Sequence, residues 1–272
     1  MLKINSALPK LSALDDTNTI LRFYLVVYDL NNYDDDDVRD LGAQAACRIL
    51  AATSNSNATE HLLPLVAGSQ LAARISRQFN TTAYLANFAI GRLTENTYRD
   101  GMIPSVAKKL ETAQRQDVAL FAEEKQNLFV DSAREARLWS RVLVHLSRKA
   151  FSKAMLHDFT QWTMEGLDVL VAKAVQEHDG SLGWTRNSEV FVLGFRVISA
   201  AEVLLKLRLR SSKGTVRGTE IRTKLVRLLE AGIKSEIHPL WLEQIEKVVQ
   251  RSLLVGVERL GAAVVGLSTR LA

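Results

Sequence analysis

Apolar residues recur at intervals of three and four positions along most of the chain. The first such series runs through Ile20, Leu21, Tyr24, Leu25 and Tyr28. This spacing gives an α-helix one continuous apolar face. No segment shows the strict alternation of apolar and polar residues that is typical of a half-buried strand. The hydrophobic pattern therefore predicts an all-α protein.

Capping residues, prolines and polar breaks divide this pattern into about ten or eleven helices. The predicted helices cover residues 17–30, 34–50, 64–75, 81–93, 104–117, 133–146, 153–177, 188–205, 216–233 and 239–270. Amphipathic helices of this length, joined by short breaks, build HEAT/armadillo-like α-solenoids. We therefore expect an α-solenoid, although an irregular helical bundle fits the same periodicity.

The composition narrows the class of protein further. The chain has 272 residues, of which 47% are hydrophobic, and a single cysteine, Cys47. One cysteine excludes an internal disulfide framework and a cysteine-rich zinc site. No stretch of 18 uncharged apolar residues occurs, so no membrane span is expected. These features predict a soluble intracellular protein in which Cys47 is a buried thiol on an apolar helix.

The motifs of catalysis and cofactor binding are missing from the sequence. The five histidines form no His-Glu-x-x-His pattern, and no Gly-x-Ser-x-Gly elbow occurs. Neither a phosphate-binding P-loop nor a Gly-x-Gly-x-x-Gly turn is present. The acidic run Asp34 to Asp37 fits the first turn of a helix better than a calcium loop, which needs a central glycine. The sequence predicts no catalytic residue, no metal site and no cofactor, and hence a protein that is not an enzyme.

The positive charge is concentrated in one stretch. The chain carries a net charge of +5, whereas residues 206–227 hold eight basic residues against one acidic residue, Glu220. The basic residues are Lys206, Arg208, Arg210, Lys213, Arg217, Arg222, Lys224 and Arg227. Such a stretch favours contact with RNA phosphates or with a protein partner. A solvated helix surface is the alternative interpretation.

A glycine-rich break at residues 178–184 ends in Trp184. Tryptophan is enriched among the residues that dominate protein interfaces. Trp184 is therefore a candidate protein contact, and the alternative is a loop residue that folds onto the helices.

Three segments resemble one known family. The first is Tyr28 to Asp40, in which Asp-x-x-Val-Arg opens a helix as in a HEAT repeat. The second is Leu120 to Asp131, followed by Arg134-Glu135 and Trp139. The third is Asp179 to Trp184, followed by Glu189 to Gly194 and Arg196 to Ile198. Together they resemble the carboxy-terminal HEAT region of the THADA family, and the last two resemble its fungal members.

The resemblance implies a function for the chain. Fungal members of the family are long helical-repeat proteins that serve as the non-catalytic partner of a tRNA 2′-O-methyltransferase, which modifies ribose 32 of the anticodon loop. We therefore expect a cytoplasmic scaffold whose partners are that catalytic subunit and tRNA. The alternative is a HEAT-type protein-interaction adaptor with no role on RNA.

The chain differs from whole family members in length. It is much shorter, and it lacks the Arg-Arg-Ser-Ala-Gly-like motif of the family's central domain. We therefore expect residues 1–272 to be a single α-solenoid segment from the carboxy-terminal part of a longer repeat protein.

Overall fold

A computed structural model describes most of the chain. It describes residues 17–33, 35–51, 62–94, 106–115, 122–176, 184–185, 188–208, 215–235 and 237–250, with the backbone alone at 111–115, 122–132, 188–189, 208 and 215–217. These described residues contain helices and turns but no strand. The all-α class predicted from the hydrophobic pattern is therefore confirmed.

Ten α-helices lie within the described part of the chain. They are α1 (Thr17–Asn31), α2 (Asp36–Ala51), α3 (Pro64–Gln78), α4 (Ala83–Thr94), α5 (Val106–Arg115), α6 (Ala122–His145), α7 (Lys153–Gln176), α8 (Ser188–Arg208), α9 (Thr215–Lys234) and α10 (239–250). A single turn of 3₁₀-helix, Arg148–Ala150, precedes α7. None of the described helices is both long enough and apolar enough to cross a membrane.

The predicted helix boundaries agree closely with most of these elements. The main difference is α6, which begins at Ala122, whereas the sequence pattern predicted a start near residue 133. The preceding residues are mainly charged and polar, so they show no apolar stripe, although Ala, Glu and Lys are good helix formers. The predicted continuation of the last helix to residue 270 lies outside the described residues.

The described residues divide into two compact units. The first contains the residues up to Asn87 together with His145–Phe151, and the second contains Phe88–Val144 and the residues from Ser152 onward. Helices α1, α2 and α3 form most of the first unit. Helices α5, α7, α8, α9 and α10 belong to the second unit.

Asn31 joins the three helices of the first unit. It is 2% exposed, and its side-chain amide donates a hydrogen bond of 2.8 Å to the Pro64 carbonyl at the start of α3. Gly42 of α2 lies directly against the backbone of Asn31, and Gly68 of α3 lies against its side chain. The absence of a side chain at both glycines therefore allows α2 and α3 to approach the end of α1.

The start of α2 shows the acidic cap that the sequence predicted. The Asp35 carboxylate accepts a hydrogen bond of 3.1 Å from the Val38 N–H. Arg39 forms an ion pair with Asp36 in its own helix and donates a hydrogen bond to the Tyr33 carbonyl. Asp35 thus satisfies a free N–H group, and Asp36 and Asp37 add negative charge at the positive end of the helix.

Helix α8 is the central helix of the second unit. Every residue from 190 to 205 is buried, including Arg196 and Glu202. Gly166 of α7 packs on Val197 of α8 so closely that an added Cβ would lie 2.7 Å from the valine side chain. On another side of α8, the ring of Trp241 fills the space over Gly194, and its indole N–H donates a 3.0 Å hydrogen bond to the Phe191 carbonyl.

We expect Gly194→Ala to destabilise the protein, because the new methyl group would overlap the Trp241 ring. Overpacking of this kind costs about 1–3 kcal/mol of unfolding free energy. The matched control is Gly218→Ala in α9, where an added Cβ meets nothing within 4 Å. Since alanine favours helix over glycine by about 1 kcal/mol, the control should unfold at the same or a higher urea concentration. Equal urea midpoints for the two variants would contradict the packing described here.

Candidate functional site

The basic stretch extends from the end of α8 to Arg227, beyond the middle of α9. Its described side chains are Lys206, Arg222, Lys224 and Arg227. The side chains of Arg208 and Arg217, and the whole of Arg210 and Lys213, lie outside the described residues. Helix α9 buries Ile221, Leu225 and Leu228, which fixes the direction in which its basic residues project.

Two of the described basic residues form ion pairs with carboxylates outside the stretch. Lys206 Nζ lies 2.7 Å from Glu202 Oε1, one helical turn earlier in α8. Lys224 forms an ion pair with Asp168 of α7. Both acidic partners precede residue 206 in the sequence, so a charge count over 206–227 does not include them. The local positive charge is therefore smaller than the sequence count implies.

The other two described basic residues differ in their surroundings. Arg222 is half-buried, and its Nε donates a hydrogen bond of 3.4 Å to the Gly218 carbonyl one turn earlier. Arg227 is exposed on α9, on the same side as the exposed Glu220 and Glu230. Among the described residues, Arg227 is thus the member of the stretch most accessible to a phosphate group.

Trp184 lies inside the second unit. It is 7% exposed, and its ring meets the ring of Trp241 edge to face at a centroid distance of 5.5 Å. Trp241 in turn packs on Phe191 of α8. This geometry fits the interpretation of Trp184 as a loop residue folded onto the helices.

His238 caps helix α10 beside this aromatic cluster. Its Nδ1 accepts a hydrogen bond of 3.2 Å from the Leu240 N–H, and its backbone N–H donates to the Thr185 hydroxyl at 3.1 Å. The imidazole ring lies 4.6 Å from the Phe191 ring. Burial lowers the pKa of His238, because the apolar surroundings disfavour the charged ring. The neutral form is also the form whose Nδ1 can accept the capping bond.

Sequence analysis missed a charge cluster around the buried Arg196. Glu135 of α6 lies between two arginines, 3.7 Å from Arg196 and 3.6 Å from Arg92. Burial, together with the nearby positive charge of Arg92, lowers the pKa of Arg196 to about 10. Glu135 and Arg196 both belong to the segments of the family resemblance, but they are 61 positions apart, and nothing in the linear pattern pairs them.

A second polar network connects α6, α8 and α10. Gln244 donates a 3.1 Å hydrogen bond to Glu202 and accepts a 3.3 Å bond from Arg137. The guanidinium of Arg137 also lies over the Phe195 ring, 5.2 Å from its centroid. Glu202 and Gln244 are 7% and 4% exposed, so their polar atoms need partners inside the protein. The network satisfies this need.

The described residues show no constellation suited to metal chemistry. No three of their His, Cys, Asp and Glu side chains come together as a metal site would require. Cys47 is buried in α2, as its apolar helical context predicted. Glu135, Asp168 and Glu202 pair with arginine, lysine or glutamine. Their arrangement is therefore that of structural contacts within a helical protein.

The comparison with protein families gives one match. Residues 73–253, about two thirds of the chain, match the Trm732_C family, which is described as the Trm72 ARM-like repeat region. No curated protein and no solved structure matches the chain. The matched range contains the α8 helix, both polar networks and the basic stretch.

Protonation of His238 should destabilise the folded protein. Its folded pKa is lowered, so between that pKa and the ordinary value near 6.5 the unfolded chain binds more protons. The stability that neutral His238 contributes is therefore fully present above pH 6.5, the ordinary pKa of histidine. It is lost as the pH falls from that value towards the lowered pKa of the folded state. In His238→Asn, whose amide oxygen can still cap α10, the fall in Tm between pH 7.5 and pH 5 should be smaller. His157→Gln, at an exposed position of α7, should retain the wild-type fall.

Removal of the Glu135 carboxylate should leave Arg196 and Arg92 without their common counter-charge. We expect Glu135→Gln to lower the unfolding free energy by about 1–3 kcal/mol, the usual cost of depriving a buried polar group of its partner. Glu246→Gln on the exposed side of α10 is the control and should change it by less than about 0.5 kcal/mol. Urea denaturation measures both. An unchanged midpoint for Glu135→Gln would show that the cluster contributes nothing to stability.

Proposed function

The chain belongs to the Trm732_C family of ARM-like repeat regions, and we propose that it acts as a non-catalytic scaffold in tRNA modification. In this proposal it supports 2′-O-methylation of ribose 32 in the tRNA anticodon loop. A separate methyltransferase subunit binds the methyl donor and performs the reaction. The chain and that subunit act together on tRNA in the cytoplasm.

The family match is the observation that carries this proposal. It spans about two thirds of the chain and includes two of the three segments from which the sequence resemblance was drawn. The family connects the chain with tRNA modification, and the ARM-like repeat class is that of helical binding surfaces. The described structure agrees with this class, because its regular elements are helices that pack side by side, most of them amphipathic.

The chemistry of the described side chains supports a scaffold over a catalyst. General acid–base catalysis needs a carboxylate or imidazole that can reach a substrate. Glu202 is instead held by Lys206 and Gln244, and the ring nitrogen Nδ1 of His238 caps a helix. These groups are committed to structural contacts, so what the described surface offers RNA is charge and shape.

The exposed basic residues give the scaffold a means of contacting tRNA. Arg227 is exposed on helix α9, and Arg208, Arg210 and Lys213 precede that helix in the sequence. Basic side chains of this kind bind phosphates and position the RNA without reading its sequence. In the proposed complex they would orient the anticodon arm towards the catalytic subunit.

One observation favours the protein-interaction adaptor as a second candidate function. Lys206 and Lys224 both form ion pairs with carboxylates of the same unit. Their charges are therefore partly compensated, which weakens attraction to phosphate. An adaptor would use the same helices to bind a protein, with no change in tRNA methylation.

The proposed function predicts a conditional effect on methyl transfer. The purified chain alone should transfer no methyl group to tRNA, whereas its addition to the catalytic subunit should raise the initial rate of ribose-32 methylation. The rate is measured by incorporation of labelled methyl groups into tRNA. An unchanged rate together with unchanged tRNA affinity of the catalytic subunit would contradict the scaffold role and favour the adaptor.

Charge reversal in the basic stretch tests how the scaffold contacts tRNA. A variant with Arg208→Glu, Arg210→Glu and Lys213→Glu should bind tRNA more weakly, and its affinity should depend less steeply on salt, because each lost phosphate contact lowers the slope by roughly 0.7–0.9. The matched control reverses three exposed basic residues elsewhere in the chain, Arg48, Lys108 and Lys234. Equal losses in the two variants would point to net charge alone.

A further inference from the structure

Two long segments of the chain contain no acidic residue. Residues 61–94 carry Arg74, Arg77 and Arg92, and residues 136–157 carry five basic residues, with no aspartate or glutamate in either segment. The segments are more than 40 positions apart in the sequence. A count of charges over longer windows includes the acidic residues that flank each segment, so the positive charge of the two segments is not apparent from it.

The fold joins the parts of these two segments that belong to the first unit, residues 62–87 and 145–151. The backbone N–H of Ser147 donates a hydrogen bond of 2.7 Å to the carbonyl of Asn80, in the turn that follows α3. Leu146, Ala150 and Phe151 are buried in the same unit, at 0%, 0% and 8% exposure. The short turn Arg148–Ala150 is therefore fixed at both ends, next to the end of α3.

Three exposed basic residues lie beside this hydrogen bond. Arg77 occupies the last turn of α3, three positions before Asn80, and Arg148 and Lys149 directly follow Ser147. Asn80 and Thr81, in the turn that follows α3, are also exposed and polar. We call Arg77, Arg148 and Lys149 the second basic surface. The carbonyl groups at the end of α3 carry partial negative charge, which offsets part of the positive charge of this surface. One carbonyl of the last turns, that of Ala73, already accepts a hydrogen bond of 3.2 Å from Arg77 itself.

The described acidic residues of the unit lie at the other end of α3. They belong to the end of α1 and the start of α2: Asp29, Asp35, Asp36, Asp37 and Asp40. Asn31 connects that end to Pro64, at the start of α3. Thirteen residues of helix separate Pro64 from Arg77, a distance of roughly 20 Å. This exceeds the Debye length of about 8 Å at physiological salt, so the acids do not neutralise the second basic surface.

The chemistry of the second basic surface fits a polyanion. The aromatic residues beside it, Phe79 and Phe151, are 2% and 8% exposed, so they cannot anchor a protein partner. What the surface exposes is charge and hydrogen-bonding groups, which are the features that contact nucleic-acid phosphates. We propose that Arg77, Arg148 and Lys149 form an RNA-binding surface that contacts the phosphate backbone independently of sequence. This inference rests on the proposed role on tRNA, and it adds a contact surface that the basic stretch at 206–227 does not include.

The test compares two triple variants of the full chain. The site variant carries Arg77→Gln, Arg148→Gln and Lys149→Gln. The control carries Arg48→Gln, Lys108→Gln and Lys234→Gln, which remove the same charge from exposed positions elsewhere. tRNA binding is measured by fluorescence anisotropy over a series of salt concentrations, after unchanged Tm values have shown that both variants fold. The slope of log Kd against log salt should fall by about 2–3 in the site variant, roughly 0.7–0.9 for each of the three lost contacts, and should not change in the control.

Several results would overturn the inference. Equal slopes for site variant and wild type would do so, as would equal losses in site variant and control, or no binding of tRNA by the wild type at low salt. A poly-glutamate peptide is the second probe. Weaker binding of that peptide with unchanged tRNA binding would assign the surface to an acidic protein. The methyl-transfer assay tests the proposed function separately from the RNA-binding surface. If the salt slope changes only in the site variant, but the wild type does not stimulate methylation, the surface is supported and the proposed function is contradicted.

Discussion

The charged residues of a helix that is buried on every side must be neutralised inside the protein. Helix α8 has this requirement at Arg196 and Glu202. An uncompensated charge in such a place would cost several kcal/mol. Glu135 of α6 forms an ion pair with Arg196. Glu202 forms an ion pair with Lys206 of α8 itself and accepts a hydrogen bond from Gln244 of α10. The positions of α6 and α10 against α8 thus follow from electrostatics as well as from packing, and Gly194 allows Trp241 to complete the contact.

The periodic pattern predicted the helices because a helix's apolar stripe is a local property. Within α8 it also predicted that Val190, Gly194 and Val197 share a buried face. It could not predict that Arg196 is buried too, because the carboxylate that makes this tolerable lies 61 positions earlier. The same limit explains the late predicted start of α6: its first residues have helix propensity but no stripe, and the pattern responds to stripes.

A count of charges along the sequence overestimates the local positive charge in one region of this protein and underestimates it in another. The stretch 206–227 looks strongly basic, yet Glu202 and Asp168 compensate two of its lysines from outside it. Residues 61–94 and 136–157 attract little attention as separate segments, yet the hydrogen bond from Ser147 to Asn80 brings parts of them together. A window that follows the chain counts neighbours in sequence, whereas electrostatic potential depends on neighbours in space. The sequence therefore identified the basic residues of the stretch 206–227, but it could not show which of them are accessible. It also could not show that Arg77, Arg148 and Lys149 belong to one surface.

A scaffold for tRNA modification contributes by holding a substrate in one orientation, since phosphate contacts carry no sequence information. Orientation requires that the contacting charges be fixed relative to one another. Arg148 and Lys149 meet this condition, although they lie outside the α-helices, because Leu146 and Phe151 are buried on either side of them and Ser147 is bonded to Asn80. Arg77 meets it through the rigid end of α3. The burial that stabilises the first unit thus also determines where its positive charges stand, which is what the proposed scaffold requires in order to orient tRNA for a separate catalytic subunit.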